Sequence, residues 1–377
     1  MENGPAFTTD ELQRYARHFA LPDFGYEAQK KLRQSAVLVV GAGGLGAPLL
    51  LYLAAAGLGR IGILDFDTVS LSNLQRQVLY TSEELGQPKA VLAARRLRQL
   101  NPHVEVYPHT EALSQHNALD LFRSYDLIVD GTDNFPTRYL ANDAAVLTGK
   151  PYIYGSIYRY EGQVSVFNAL LPNGERSINY RNLYPQPPHP DAVPNCAEGG
   201  VLGVLPGIIG SMQANEAIKI LAGIGRPLIQ RLFLFDAATA QARTIQLPPQ
   251  KPVAVRELID YQAFCTPAGL NDAVAEIHPK DLQHLMASPT PPLLIDVREP
   301  YERAAGHLGG QHIPLGRIRE ASELIREAPQ VVLYCRSGLR SAKAVRLLQE
   351  AFGFDHLKSL QGGLQAAEPY FPGDDPH

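Results

Sequence analysis

Two groups of residues in this chain have the types and spacing that chemistry needs. In the first, four apolar residues at 37–40 run into Gly41-Ala42-Gly43-Gly44-Leu45-Gly46, and an apolar stretch at 49–56 continues to Gly57. This reads as strand, glycine turn and helix. The glycines let the backbone approach a phosphate, and the helix start turns N–H groups and positive dipole toward it. Asp65 and Asp67 stand about twenty residues further on, where an acid takes ribose hydroxyls. Taken alone, the pattern fits a dinucleotide, another nucleotide, or tight strand–helix packing with no ligand.

Two neighbours narrow that choice. Gln87-Pro88-Lys89 opens a helix predicted to reach about Leu100, which puts a cation in the first turn. There the macrodipole opposes it by roughly 0.3–1 kcal/mol. A second apolar strand, 126–130, ends in Gly131-Thr132-Asp133-Asn134. Ligands of open parallel sheets sit at the carboxyl ends of strands, so Asp130 and Asp133 are expected opposite Asp65 and Asp67. Carboxylates on both sides of a phosphate repel it unless a divalent cation intervenes. Mg²⁺ suits that position, because it binds through a carboxylate or two plus substrate phosphates. The pattern favours a nucleoside triphosphate over NAD.

The second group is Cys335-Arg336-Ser337-Gly338-Leu339-Arg340-Ser341, directly after the apolar run 331–334. A thiol there meets backbone N–H groups, a helix start and two guanidiniums, surroundings that favour a thiolate. The interval from Cys335 to Arg340, four residues, is one shorter than the loop of cysteine phosphatases. The smaller cradle suits a single sulfur atom better than a tetrahedral phosphate.

The elements around these groups read as α/β throughout. Residues 1–247 form a first domain with a Rossmann-like mixed sheet, and 272–377 a smaller α/β domain. The stretch 248–271 reads as a linker with one helical turn. An amphipathic helix at 11–19 presents Arg14 and Arg17 on one face, and 171–194, rich in Pro, Asn and Tyr, reads as a long irregular loop. The 34 Lys and Arg against 38 Asp and Glu leave a net charge of −4, so no basic field calls for nucleic acid. No apolar run suits a bilayer, residues 1–10 lack a signal peptide's apolar core, and three scattered cysteines make no disulfide framework. A soluble, cytoplasmic enzyme is expected.

The motifs RYARH (14–18), GAGGLG (41–46), DFDTVSLSNLQRQ (65–77), GQPK (86–89), DGTDN (130–134) and EGQVSVF (161–167) resemble the MoeB/ThiF group of ubiquitin-activating-like adenylyltransferases. LLIDVREPYERAAGHLGGQHIPL, CRSGLRS and LQGG (360–363) resemble a rhodanese domain. The combination is similar to fused adenylyltransferase–sulfurtransferases.

The resemblance implies that Gly41, Gly43, Gly44, Asp65, Asp67, Ser72, Asn73, Arg76, Lys89, Asp133 and Asn134 bind ATP, with Asp133 on its Mg²⁺. Arg17 would reach the phosphates of a partner subunit, which implies a homodimer. The implied substrate is a small ubiquitin-fold sulfur carrier ending in Gly-Gly. Its terminal carboxylate would be adenylated and then converted to a thiocarboxylate by a persulfide on Cys335, assisted by Arg340. A cysteine desulfurase or thiosulfate would supply the sulfur. Cys196 matches the position that forms a disulfide or thioester. The product would serve molybdopterin, thiamine or related biosynthesis.

Two other readings stay open: a rhodanese domain that serves only for docking, and an NAD-dependent oxidoreductase. Many relatives hold a structural Zn²⁺ with two C-x-x-C pairs. Here the first pair reads Asn179-Tyr180-Arg181-Asn182, and 247–256 holds no cysteine. No structural Zn²⁺ is expected, and Cys265 is expected to be unligated.

Overall fold

The structure, a computed structural model, describes residues 7–188, 200–266 and 274–371. The chain divides into two compact units, Met1–Pro267 and Ala268–His377.

The first unit is built on eight strands. They are β1 (Ala36–Val40), β2 (Arg60–Leu64), β3 (Glu105–His109), β4 (Leu127–Asp130), β5 (Tyr152–Tyr158), β6 (Glu161–Phe167), β7 (Arg231–Asp236) and β8 (Gln241–Gln246). Their spatial order is β3-β2-β1-β4-β5-β6-β7-β8. Pairing is parallel from β3 to β5 and antiparallel from β5 to β8. β1 is buried along its whole length, as a parallel strand covered on both faces must be, which is why its sequence is an unbroken apolar run. Val37 and Val39 face a core shared with the helices Gly25–Gln34, Gly46–Ala55, Lys89–Leu100 and Leu205–Ala222. Leu38 and Val40 face the opposite core, shared with Ala118–Arg123 and Phe135–Thr148.

Register then aligns the site. Val40 pairs with Leu64 on one side and Asp130 on the other, and Leu64 pairs with His109. Four strands, β3, β2, β1 and β4, therefore end at one level, and the turns after β1 and β4 meet.

Two sequence expectations change. The helix expected at 11–19 is two, Thr9–Arg14 and Ala16–Phe19, separated at Tyr15. Tyr15 is buried, and its ring fills the space above Gly57 that a side chain there would need. The stretch expected as a linker is docked on the first unit as far as residue 266. Leu247 and Tyr261 are buried, and Leu258, Ile259, Phe264 and Cys265 pack beside them. The Tyr261 hydroxyl donates to Asp143 Oδ2 at 2.7 Å, which anchors the helix Tyr261–Cys265.

The second unit holds β9 (Glu276–Ile277), β10 (Leu293–Asp296), β11 (Gln311–His312), β12 (Val331–Tyr334) and β13 (Leu357–Leu360), all parallel, in the order β11-β10-β12-β13-β9. The helix Leu339–Phe352 follows β12 and buries Ala344, Val345 and Leu348. Among the described residues no helix is long and apolar enough to cross a membrane.

Candidate functional site

The turn after β1 and the turn after β4 are pressed together. Gly41 has φ +95°, and a Cβ on it would stand 2.8 Å from the carbonyl oxygen of Gly131. A Cβ on Gly131 would stand 2.7 Å from the carbonyl oxygen of Gly41. Both glycines are required by this contact, before any ligand is considered. Tyr80 holds the first turn from below, its hydroxyl donating to Ala42 O at 2.8 Å.

Asp65 organises the same turn. Its Oδ2 accepts from Ala42 N at 2.7 Å and its Oδ1 from Asp67 N at 2.8 Å. Burial raises its carboxyl above the ordinary carboxylate range, although these two N–H groups oppose the shift. Lys89, only 4% exposed, extends to Asp67 Oδ2 at 3.1 Å. Ser72 and Asn73 stand on the short 3₁₀ turn Leu71–Asn73, Ser72 exposed and Asn73 half-buried. Arg76 donates to Ser72 O at 3.1 Å, and its Cγ lies 3.6 Å from the point a Gly44 Cβ would occupy. Gln77, 5% exposed, lies against Gly43 with its amide, and its buried Oε1 has no hydrogen-bond partner. The glycine turn and the buried cation fit the phosphates of a nucleoside triphosphate, and the unmet amide oxygen fits a donor such as a ribose hydroxyl.

The acids after β4 are not equivalent, and here the structure corrects the sequence. Asp130 was expected to face the phosphates. Its carboxylate is fully buried and turned into the core. Oδ1 accepts from Thr132 N at 2.9 Å and Oγ1 at 2.5 Å. Oδ2 accepts from Arg138 Nε at 3.0 Å and from the Tyr152 hydroxyl at 2.7 Å. Asp133 is exposed at the turn, so it is the carboxylate there that fits Mg²⁺ together with phosphate oxygens. Asn134 caps the helix Phe135–Thr148, accepting from Thr137 N at 3.0 Å.

Of the two arginines in RYARH, Arg14 pairs with Asp10, while Arg17 is exposed and has no ion pair among the described residues. Arg14 donates to Leu100 O at 3.1 Å, Tyr15 accepts from Asn101 Nδ2 at 2.9 Å, and the His18 ring meets Gln29 Oε1 at 2.9 Å.

In the second unit Cys335 is 1% exposed at the end of β12. Gly338 N donates to its Sγ at 3.2 Å and Ser341 Oγ lies 3.6 Å away. Gly362 and Gly363 close the loop from outside: Leu364 N donates to Cys335 O at 2.8 Å and Gln365 N to Arg336 O at 3.1 Å. Gly363 has φ +61°, and a Cβ there would lie 2.5 Å from Cys335 O. Arg336 is exposed. Arg340 is held by Glu302, a partner that spacing around the cysteine does not reveal. The signal for it was the acid of DVREPYE, placed in the first turn of the helix Pro300–Ala304 after β10. Cys196 lies outside the described residues.

At the positions of the first C-x-x-C pair, two asparagine amides bond the backbone of 251–253. Asn179 Nδ2 donates to Val253 O at 2.8 Å, Asn182 Nδ2 to Lys251 O at 2.9 Å, and Val253 N to Asn182 Oδ1 at 3.0 Å. The two amides thus fasten the very stretch where a second ligand pair would stand. Among the described residues no cluster of His, Cys, Asp and Glu could hold a metal. These residues do not fit Zn²⁺. Cys265, half-buried beside Arg181, has its thiol pushed up by burial to about 11.

Residues 15–254 match the ThiF family and residues 278–368 the Rhodanese-like domain. A probable adenylyltransferase/sulfurtransferase MoeZ of Mycobacterium tuberculosis is 47% identical over 375 residues, 97% of this chain and 95% of the relative. A sulfur carrier protein adenylyltransferase of Thermus thermophilus is 53% identical over 266 residues, 69% of this chain and 98% of the relative. An adenylyltransferase and sulfurtransferase MOCS3 of Drosophila yakuba is 40% identical over 393 residues, 97% of this chain and 85% of the relative. Among solved structures, Escherichia coli MccB with ATP shares the fold at TM-score 0.54 and 19% identity, over 63% of this chain and 72% of that one.

Proposed function

The chain belongs to the ThiF family, joined to a rhodanese-like domain, and from that premise we propose a two-stage reaction on a small ubiquitin-fold sulfur carrier ending in Gly-Gly. In the first stage the carrier's terminal carboxylate oxygen attacks the α-phosphorus of ATP. An acyl–phosphate bond forms, the bond to the β-phosphate breaks, and pyrophosphate leaves. Lys89 and Arg76 stabilise the charge that develops on the phosphates, and Arg17 of a second copy adds to them. Asp133 would hold a Mg²⁺, which would further neutralise the phosphate oxygens. Gly41, Gly43 and Gly44 bring backbone N–H groups close, while Asp65 and Asp67 fix the turn and Lys89. Ser72, Asn73 and Asn134 line the same opening.

In the second stage the terminal sulfur of a Cys335 persulfide attacks the acyl carbon. A carbon–sulfur bond forms and AMP leaves. A thiolate, supplied by Cys196 or another thiol, then attacks Cys335 Sγ. The acyl disulfide splits and the carrier leaves as a thiocarboxylate. Sulfur reaches Cys335 from a cysteine desulfurase persulfide or from thiosulfate.

The observation that supports this reading best is the buried ammonium of Lys89, paired with the half-exposed Asp67 whose backbone is bonded to Asp65 of the glycine turn. The test is ATP–pyrophosphate exchange with purified carriers ending in Gly-Gly, followed by mass analysis of the carrier terminus. Exchange with one carrier and replacement of its terminal oxygen by sulfur are expected. Exchange with none of them would sink the proposal.

A further inference from the structure

Glu302 accepts from Arg340 Nη1 at its Oε2 and from Arg340 Nη2 at its Oε1, both at 2.6 Å. The two side chains are each 16% exposed. Oε2 also accepts from Glu299 N at 3.0 Å, so the carboxylate is fixed on its own helix. Burial works against the Glu302 charge, yet the Arg340 hydrogen bonds and the guanidinium charge outweigh it and keep the carboxyl below its ordinary range. The fork that a guanidinium offers to an oxyanion is therefore presented to a carboxylate of the chain itself. Among the described residues Cys335 Sγ accepts from the Gly338 N–H and lies 3.6 Å from the Ser341 hydroxyl.

This matters because the two candidate sulfur donors differ in leaving group. With thiosulfate, the Cys335 thiolate attacks the outer sulfur, a new S–S bond forms, and the donor's S–S bond breaks as dianionic sulfite departs with the electron pair. With a protein persulfide, the thiolate attacks the terminal sulfur and a cysteine thiolate departs. Sulfite and its thiosulfate parent need cations at three oxygens. A cysteine thiolate does not.

We propose that Glu302 is a specificity-determining residue for sulfur loading: by engaging Arg340 it withholds one of the loop's two guanidiniums from an oxyanion and biases Cys335 toward persulfides carried on protein cysteines. The proposal rests on the reading of Cys335 as a persulfide carrier.

The test uses the full-length protein with outer-sulfur-labelled thiosulfate and, separately, with a persulfide-loaded cysteine desulfurase, and reads label on the Cys335 peptide by mass spectrometry. Glu302→Gln should lower KM for thiosulfate by about fivefold or more with kcat for loading held within about twofold. Loading from the desulfurase should change by less than about twofold. Adding Arg340→Gln should remove the gain, since the released guanidinium carries it. Glu302→Ala, read with the thermal midpoint, guards against a variant that fails to fold. An unchanged thiosulfate KM in both folded Glu302 variants, or parallel loss with both donors, would show that Glu302 only supports the loop. Wild-type protein that takes label from neither donor would remove the persulfide reading of Cys335, and this proposal with it.

Discussion

Lys89 is tied to Asp67 twice: its own backbone N–H donates to Asp67 O at 2.9 Å, and its ammonium lies 3.1 Å from Asp67 Oδ2. The first tie satisfies one of the donors that a helix start leaves unpaired. The second holds a cation where the helix dipole opposes it. Asp67 is 55% exposed, so its hold on Lys89 is partial and phosphate oxygens can share it. Lys89→Ala should lower ATP–pyrophosphate exchange by about a hundredfold or more. Circular dichroism should show the fold retained, which separates lost charge stabilisation from lost structure.

Asp130 and Asp133 should part company when each is changed to Asn. Asp130→Asn leaves Arg138 buried without its carboxylate and should cost about 3–5 kcal/mol in denaturant unfolding. Asp133→Asn should leave the unfolding midpoint unchanged and raise the Mg²⁺ concentration needed for half-maximal exchange. Equal loss of stability in both would contradict the placement of the two acids.

The proposal that Arg17 is supplied across a dimer makes a mixing prediction. Arg17→Ala and Lys89→Ala proteins, each inactive alone, should regain up to about a quarter of wild-type exchange when unfolded together and refolded, because half the dimers then contain one intact site. No recovery would place Arg17 in its own subunit's chemistry or outside it.

The amide clip has a measurable stability. Asn182→Ala removes the acceptor of Val253 N and the donor to Lys251 O, and should cost about 1–3 kcal/mol. Metal analysis of the purified protein should find no stoichiometric zinc, and a chelator should leave the unfolding midpoint where it was. One tightly held zinc per chain would overturn this.

Acid should loosen the second unit through Asp296. Burial works against its charge, but Arg298, bonded at 2.7 and 2.9 Å, outweighs burial and holds the carboxyl below its ordinary 3.8. A group whose pKa is depressed by folding stabilises above its unfolded value, and that contribution is lost as pH falls through the folded value. Thermal midpoints should decline below about pH 4 in wild type. In Asp296→Asn they should be lower at neutral pH and less dependent on acid.

Local geometry was legible in the sequence wherever it depends on short intervals. The glycine turn, the cation at the start of Lys89–Leu100 and the Cys335 loop all stand where spacing put them. What escaped depends on pairs distant in sequence or on the direction a side chain takes. Asp130 looked like Asp133 because nothing along the chain says that Arg138, one helical turn into Phe135–Thr148, reaches back to it. Arg340 looked free because its partner is 38 residues away. The stretch after Leu247 looked like a linker because its Pro-rich composition hides Tyr261, which pairs with Asp143 across 118 residues.

The Asn179 and Asn182 clip also bears on how the protein is made. A thiolate clip closes only when a cell delivers zinc, and it opens under chelation or oxidation. An amide clip closes as soon as residues 251–253 reach Asn179 and Asn182. Closing this clip calls for no metal ion and leaves no thiolate there for an oxidant to attack.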